Sequence, residues 1–137
     1  MAVDEATAAL LGQMAESGMK PLHEMTPEEA RGLGGALREM YGAGPDVADV
    51  RNTTAPGPAG DIPVRVIVPD GSPRALIVYY HGGGWVIGAL DEFDTLGRKL
   101  ANATGAVVAL VDYRLAPEHR YPAALQDAWA ALRWAEG

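Results

Sequence analysis

The sequence predicts an α/β fold, a mostly parallel sheet with flanking helices behind a helical N-terminal segment. Three observations predict it. Ala75–Tyr80 and Ala106–Val111 are short, continuous apolar runs of the kind buried on both faces of a sheet. Each is followed by an amphipathic stretch of helical period, about Asp91 to Thr104 and from Pro122 onward. The resulting order of strand, helix, strand, helix calls for parallel pairing through right-handed crossovers.

Taken in order, residues 1–44 read as helices. Ala6, Leu10 and Met14, with Ala9 beside them, mark a short stripe ending near Gly18. Thr26-Pro27-Glu28-Glu29 reads as a capping box with proline at the first helical position, and Ala30, Leu33, Leu37 and Met40/Tyr41 follow at steps of three and four until Gly42 and Gly44. Val47–Thr54 and Ile62–Val68 read as a hairpin-like pair of strands around the Pro- and Gly-rich loop 55–61. Asp70-Gly71-Ser72-Pro73 is the next turn. In the helix after the first apolar run, Phe93, Leu96, Leu100 and Ala103 form the expected core face, with Gly105 as the stop. The last helix is expected to bury Leu125, Ala128/Trp129, Leu132 and Ala135, after an irregular loop from Asp112 to Arg120.

Composition narrows the functional classes. The 137 residues are 48% hydrophobic and 21% charged, a globular balance without repeats or low-complexity tracts. The formal net charge is −7 and no Lys/Arg cluster occurs, so neither nucleic acid nor an anionic membrane surface is an expected partner. Cysteine is absent, which removes disulfides, thiol catalysis and cysteine-ligated metals and fits a cytoplasmic protein. The start Met1-Ala2-Val3-Asp4-Glu5 lacks the basic region and apolar run of a secretory signal.

The chemistry concentrates in His81-Gly82-Gly83-Gly84-Trp85, directly after an apolar strand. A phosphate-binding loop needs Gly-Lys-Ser/Thr next, and a dinucleotide loop needs Gly-x-Gly-x-x-Gly; neither register is present. A bare triple glycine reads as a tight turn. The histidine before it, the aromatic after it and the preceding strand favour an oxyanion hole, in which backbone N–H groups face a developing negative oxygen.

Two motifs then carry a resemblance. Tyr80-His81-Gly82-Gly83-Gly84-Trp85 is one; the other is Val111-Asp112-Tyr113-Arg114-Leu115-Ala116-Pro117-Glu118-His119, running on through Tyr121-Pro122-Ala123-Ala124 to Asp127. With them the chain resembles the hormone-sensitive-lipase-like carboxylesterases of the α/β-hydrolase superfamily. The resemblance implies the N-terminal part of an α/β-hydrolase fold: residues 1–44 a helical cap segment, residues 45–137 the first half of the core, incomplete. It implies that Gly83 and Gly84 supply oxyanion N–H groups, that Gly82 shapes the turn, that His81 holds the loop and is not the catalytic base, and that Trp85 lines the acyl pocket. Short-to-medium acyl esters are the implied substrates, with no cofactor and no metal.

Other candidates rank lower. Asp112, Arg114 and Glu118 read as an ion-pair network beneath the turn, His23 and His119 as ordinary surface or loop histidines, Trp129 and Trp134 as packing residues, and Phe93 and Leu96 as core. Leu10, Leu11 and Met14 read equally as core or as the wall of a cleft. The only serines, Ser17 and Ser72, lack the flanking glycines of a nucleophile elbow, having Ala15 and Met19, and Asp70 and Arg74, instead. The chain is therefore expected to provide the oxyanion half of a serine esterase, to lack the nucleophile, triad acid and triad histidine, to be inactive alone, and to need the missing C-terminal half as a partner. The resemblance also places strand 76–80 between a fourth and a fifth strand, so that without the fifth it is an open apolar edge prone to mispairing. A non-catalytic small-molecule-binding protein on the same scaffold, or a gene fragment without independent function, are the alternatives.

Overall fold

The computed structural model describes residues 3–137, the side chain of Leu37 excepted. The Met1-Ala2 start of the leader reading, and Leu37 in the second helical stripe, lie outside the described residues. Helix α1 (Glu5–Glu16) is capped by the Asp4 carboxylate and buries none of its residues. Leu10, Leu11 and Met14 stand exposed, so the core reading of that stripe does not hold. A 3-10 turn at Leu22–Glu24 leads to α2 (Pro27–Tyr41). The capping box forms in both directions: Thr26 Oγ1 accepts from the Glu29 amide at 3.2 Å, and Glu29 Oε2 accepts from the Thr26 amide at 2.6 Å. Gly42, at φ 69°, ends the helix.

Strands β1 (Asp49–Ala55) and β2 (Ile62–Val68) pair antiparallel as the hairpin reading expects, with Asp49 opposite Val68. Then come β3 (Leu76–Tyr80), α3 (Leu90–Thr104), β4 (Val107–Val111) and α4 (Ala123–Glu136). The strands lie in the order β1-β2-β4-β3. β3 and β4 are parallel, as the strand–helix–strand pattern requires, but β2 joins β4 antiparallel and makes the described sheet mixed. Pairing between β2 and β4 carries no local signature, because nothing between them in sequence is a turn that sets it.

Alternation along β4 sends residues to two cores. Ala109 and Val111 pack with Val64, Val66, Tyr113 and Ala131 on the α4 side. Val108 and Leu110 pack with Ile67 and Ala101 on the α3 side. The buried helical lines are not the ones hydrophobic size suggests. On α3, Phe93 and Leu100 pack on the core, but Thr95, Gly97 and Ala101 are the buried residues, while Leu96 and Ala103 are exposed. On α4, Ala123, Asp127 and Ala131 are buried, whereas Leu125 and Trp129 are 59% and 62% exposed. On α3, close approach is the reason. A Cβ added at Gly97 comes within 2.6 Å of Ile67 Cδ1 and 3.2 Å of Leu110 Cδ1, so only the smallest residue admits the helix at that depth. β3 is a second correction. Its residues are half-buried or exposed, because β4 pairs with only one of its edges and no described strand covers the other.

Gly97→Leu is expected to destabilise the chain by about 1–3 kcal/mol through overpacking. A lower urea midpoint at unchanged m-value checks this; an unchanged midpoint contradicts the close-approach account.

Candidate active site

β3 delivers the chain into a turn that only glycine-rich sequence can make. Gly83, Gly84 and Gly88 have φ of 130°, 60° and 115°, and Trp85 joins them at 61°. A non-glycine residue held there costs of order 1–3 kcal/mol and marks an over-determined backbone. Gly83 O accepts from the amides of Val86 at 3.1 Å and Ile87 at 3.0 Å, which closes the turn. A Cβ at Gly83 meets the Ile87 carbonyl, and one at Gly88 meets the His81 ring. Among the described residues no acceptor lies on the amides of Gly82, Gly83 or Gly84. The turn thus folds its carbonyl inward and leaves its donors free.

His81 is buried and anchors the start of this turn. Its ring is sandwiched between Tyr113, with centroids 4.4 Å apart, and Phe93, at 5.2 Å. Tyr113 Oη donates to the His81 carbonyl at 2.6 Å. His81 Nδ1 lies 2.9 Å from Gly82 O and 3.3 Å from Tyr113 Oη, which assigns the proton to Nδ1. Nε2 is buried without a partner among the described residues. Burial pushes the Tyr113 hydroxyl pKa up, with Asp112 adding to the effect, and so keeps it a donor.

The second motif packs beneath the turn, with partners the sequence did not reveal. Burial raises the Asp112 carboxyl, opposed by His81 and Arg65. Arg114 grips Asp127 at 2.8 and 2.7 Å, and the Arg114 amide adds a third bond at 3.0 Å. Burial alone pushes Asp127 up; these bonds outweigh it and hold its carboxyl below the ordinary range. Glu118 pairs with Arg31 of α2, not with Arg114. Arg31 Nη1 and Nη2 meet the two Glu118 oxygens at 2.8 Å each, Nη2 also donates to Ala116 O at 2.9 Å, and Nε donates to Val86 O at 2.8 Å. The Arg31 guanidinium beside it holds the Glu118 carboxyl down to about 2. Sequence reasoning missed Arg31, because its partner lies 87 residues away and no periodicity links them. The Ala116 amide completes the tie by donating to Trp85 O at 2.8 Å.

An apolar cavity of about 730 Å³ opens between the turn and α4, lined by Tyr80, His81, Gly84, Trp85, His119 and Leu125 among others. Tyr80 Oη donates to Ala128 O at 2.7 Å and fixes one wall. His119 therefore sits at the cavity, beyond its reading as an ordinary loop residue. Trp85 is also there, its side chain largely exposed. Trp134 packs against the core, but Trp129 does not. His23 is exposed beside Glu24, Ser17 caps the end of α1, and Ser72 lies in an exposed loop; none lines the cavity. Among the described residues no group of three or more His, Asp or Glu is arranged to hold a metal, and no helix is long and apolar enough to cross a membrane.

Residues 77–137 match the family described as alpha/beta hydrolase fold. The carboxylesterase NlhH of Mycobacterium tuberculosis is 56% identical over 78 residues, covering 54% of this chain and 24% of the relative. The ethyl acetate hydrolase of Pseudomonas putida is 38% identical over 147 residues, covering 98% and 45%. Among solved structures, a hyperthermophilic esterase from the archaeon Pyrobaculum calidifontis superposes with a TM-score of 0.85 at 38% identity, covering 98% of this chain and 44% of that one. The chain spans less than half the length of each of these relatives.

Two measurements test the geometry beneath the turn. Glu118 has a depressed pKa in the folded chain, so its pairing adds stability that is fully present above the ordinary value of 4.5 and is lost as pH falls through about 2. A carbon-13 titration of the Glu118 carboxyl is expected to show that low midpoint, and a midpoint near 4.5 contradicts the pair. Asp127→Ala leaves Arg114 without its partner and is expected to cost about 2 kcal/mol, discounted because the guanidinium keeps some contact with water. A denaturation midpoint unmoved by that substitution refutes a structural role for the pair.

Proposed function

We propose, on the premise that this chain belongs to the hormone-sensitive-lipase-like carboxylesterase branch of the α/β-hydrolase superfamily, that its glycine turn is the oxyanion half of a serine carboxylic-ester hydrolase. The observation that carries this reading is the turn's hydrogen-bond pattern. The Gly83 carbonyl is consumed within the turn, while the amides of Gly83 and Gly84 keep no acceptor. Donors fixed in advance stabilise charge as it develops, without reorganising at the moment of reaction.

In this mechanism a serine supplied by a C-terminal remainder attacks the ester carbonyl, with a histidine base taking its proton and an acid orienting that histidine. The carbonyl oxygen, now negative, receives hydrogen bonds from the Gly83 and Gly84 amides and from one beside the serine. Collapse of the tetrahedral intermediate expels the alcohol and leaves an acyl-enzyme, which water then cleaves. His81 holds the loop, its Nδ1 proton already committed to Gly82 O, and Gly82 gives the turn its entry. Trp85 and the apolar cavity receive the acyl group, which suits short-to-medium acyl esters. Residues 1–44 act as a cap segment, and 45–137 as the first half of the catalytic core. By itself the chain is inactive.

With p-nitrophenyl butyrate, the 137-residue chain is expected to give no turnover above background. Joined to the C-terminal remainder of the Pseudomonas putida ethyl acetate hydrolase, it is expected to hydrolyse that ester. In the joined protein, Gly84→Pro is expected to lower kcat by about 10²–10³. Retained turnover in the Gly84→Pro protein removes the oxyanion assignment.

A further inference from the structure

We propose that Arg31 is a positioning residue through which helix α2 sets the geometry of the glycine turn. Its guanidinium spans three separate pieces of backbone and side chain. Nε holds Val86 O on the far side of the turn, Nη2 holds Ala116 O in the second loop, and both terminal nitrogens clasp the Glu118 carboxylate. The two loops are themselves joined by the bond from the Ala116 amide to Trp85 O. Arg31 therefore closes a ring of contacts around Trp85 and Val86, the residues directly after Gly84. Tyr113 of the second loop also bonds to the His81 carbonyl, but among the described residues only Arg31 reaches both loops from another element.

The chemistry requires arginine. Only a planar guanidinium presents donors in several fixed directions at once, so one residue bridges two carbonyls and a bidentate carboxylate. A lysine ammonium carries the same charge but cannot span those acceptors in one geometry. Placement follows from α2. The capping box at Thr26 and Glu29 fixes the start of the helix, and buried Ala30 and Gly34 turn one face inward, with Arg31 beside it and half-buried. At the far end of the helix, Arg38 meets Asp91 of α3 at 3.3 Å, a second tie between α2 and the core. Movement of the N-terminal segment is thereby transmitted to the turn. The catalytic consequence rests on the oxyanion reading above; the mechanical one does not.

Hydrogen exchange read by mass spectrometry on the 137-residue chain tests the mechanical claim. Arg31→Ala is expected to speed exchange in 81–88 and 113–120 about tenfold or more, as expected for lost charge-assisted bonds, while 62–68 and 107–111 keep their rates. Arg31→Lys is expected to follow Arg31→Ala. Unchanged exchange at 81–88, equal acceleration in all four segments, or wild-type behaviour of Arg31→Lys would each overturn the proposal. In the joined esterase, Arg31→Ala is expected to lower kcat about tenfold at nearly constant KM, the sign of a group acting only on the transition state. If Gly84→Pro abolishes turnover while Arg31→Ala leaves kcat unchanged, the oxyanion reading stands and Arg31 is not its positioning residue. If Gly84→Pro leaves turnover intact, the oxyanion reading falls, and the exchange result alone decides the role of Arg31.

Discussion

The hydroxyl of Tyr113 donates to the carbonyl of His81, and the two rings stack face to face above it. This contact joins the ends of the two parallel strands, because His81 follows β3 and Tyr113 stands two residues past β4. It fixes the point at which the chain leaves the sheet and enters the turn. Phe93 closes the other face of the imidazole and so brings α3 into the same assembly. With His81 packed on both faces, the positive φ values of Gly83, Gly84 and Trp85 become the way for the chain to return toward α3. Strain in the turn is held by the packing of His81 between Tyr113 and Phe93.

A second layer of charge sits under that aromatic stack. Arg114 and Asp127 fasten the loop after β4 to α4, and Arg31 and Glu118 fasten it to α2. The two pairs differ in character. Asp127 is buried and bound by three donors, so its carboxylate is an integral part of the α4 interface. Glu118 lies in water, and what specifies its pair is the fork of the guanidinium together with the carbonyls of Val86 and Ala116. One pair therefore fastens α4, which carries part of the cavity lining, to the loop after β4, and the other links α2 to the turn.

The helical stripes explain what sequence reading missed. Hydrophobic size places Leu96, Leu125 and Trp129 inside, yet all three are exposed. The inner faces carry Gly97, Ala101 and Ala131, small residues that let a helix pack closely on the sheet, together with Asp127, which is held inside by its three bonds from Arg114. The same size argument makes β3 a doubly buried strand, although on this chain one of its edges has no described partner. The capping box, the β1–β2 hairpin, the parallel β3–β4 pair and the glycine turn were all legible, because each is written in a few adjacent residues or in one period.

By itself, then, the sequence determined the elements, the order of strand and helix, and the place where backbone donors gather, since capping, alternation and glycine content act locally. Tertiary structure alone decided that β2 lies beside β4, that α3 and α4 turn their small residues inward, that His81 is clasped between Tyr113 and Phe93, and that Arg31 reaches Glu118 across 87 residues. Those outcomes depend on distances between segments far apart in the chain. No local propensity encodes them; they are fixed when the two cores close around the sheet.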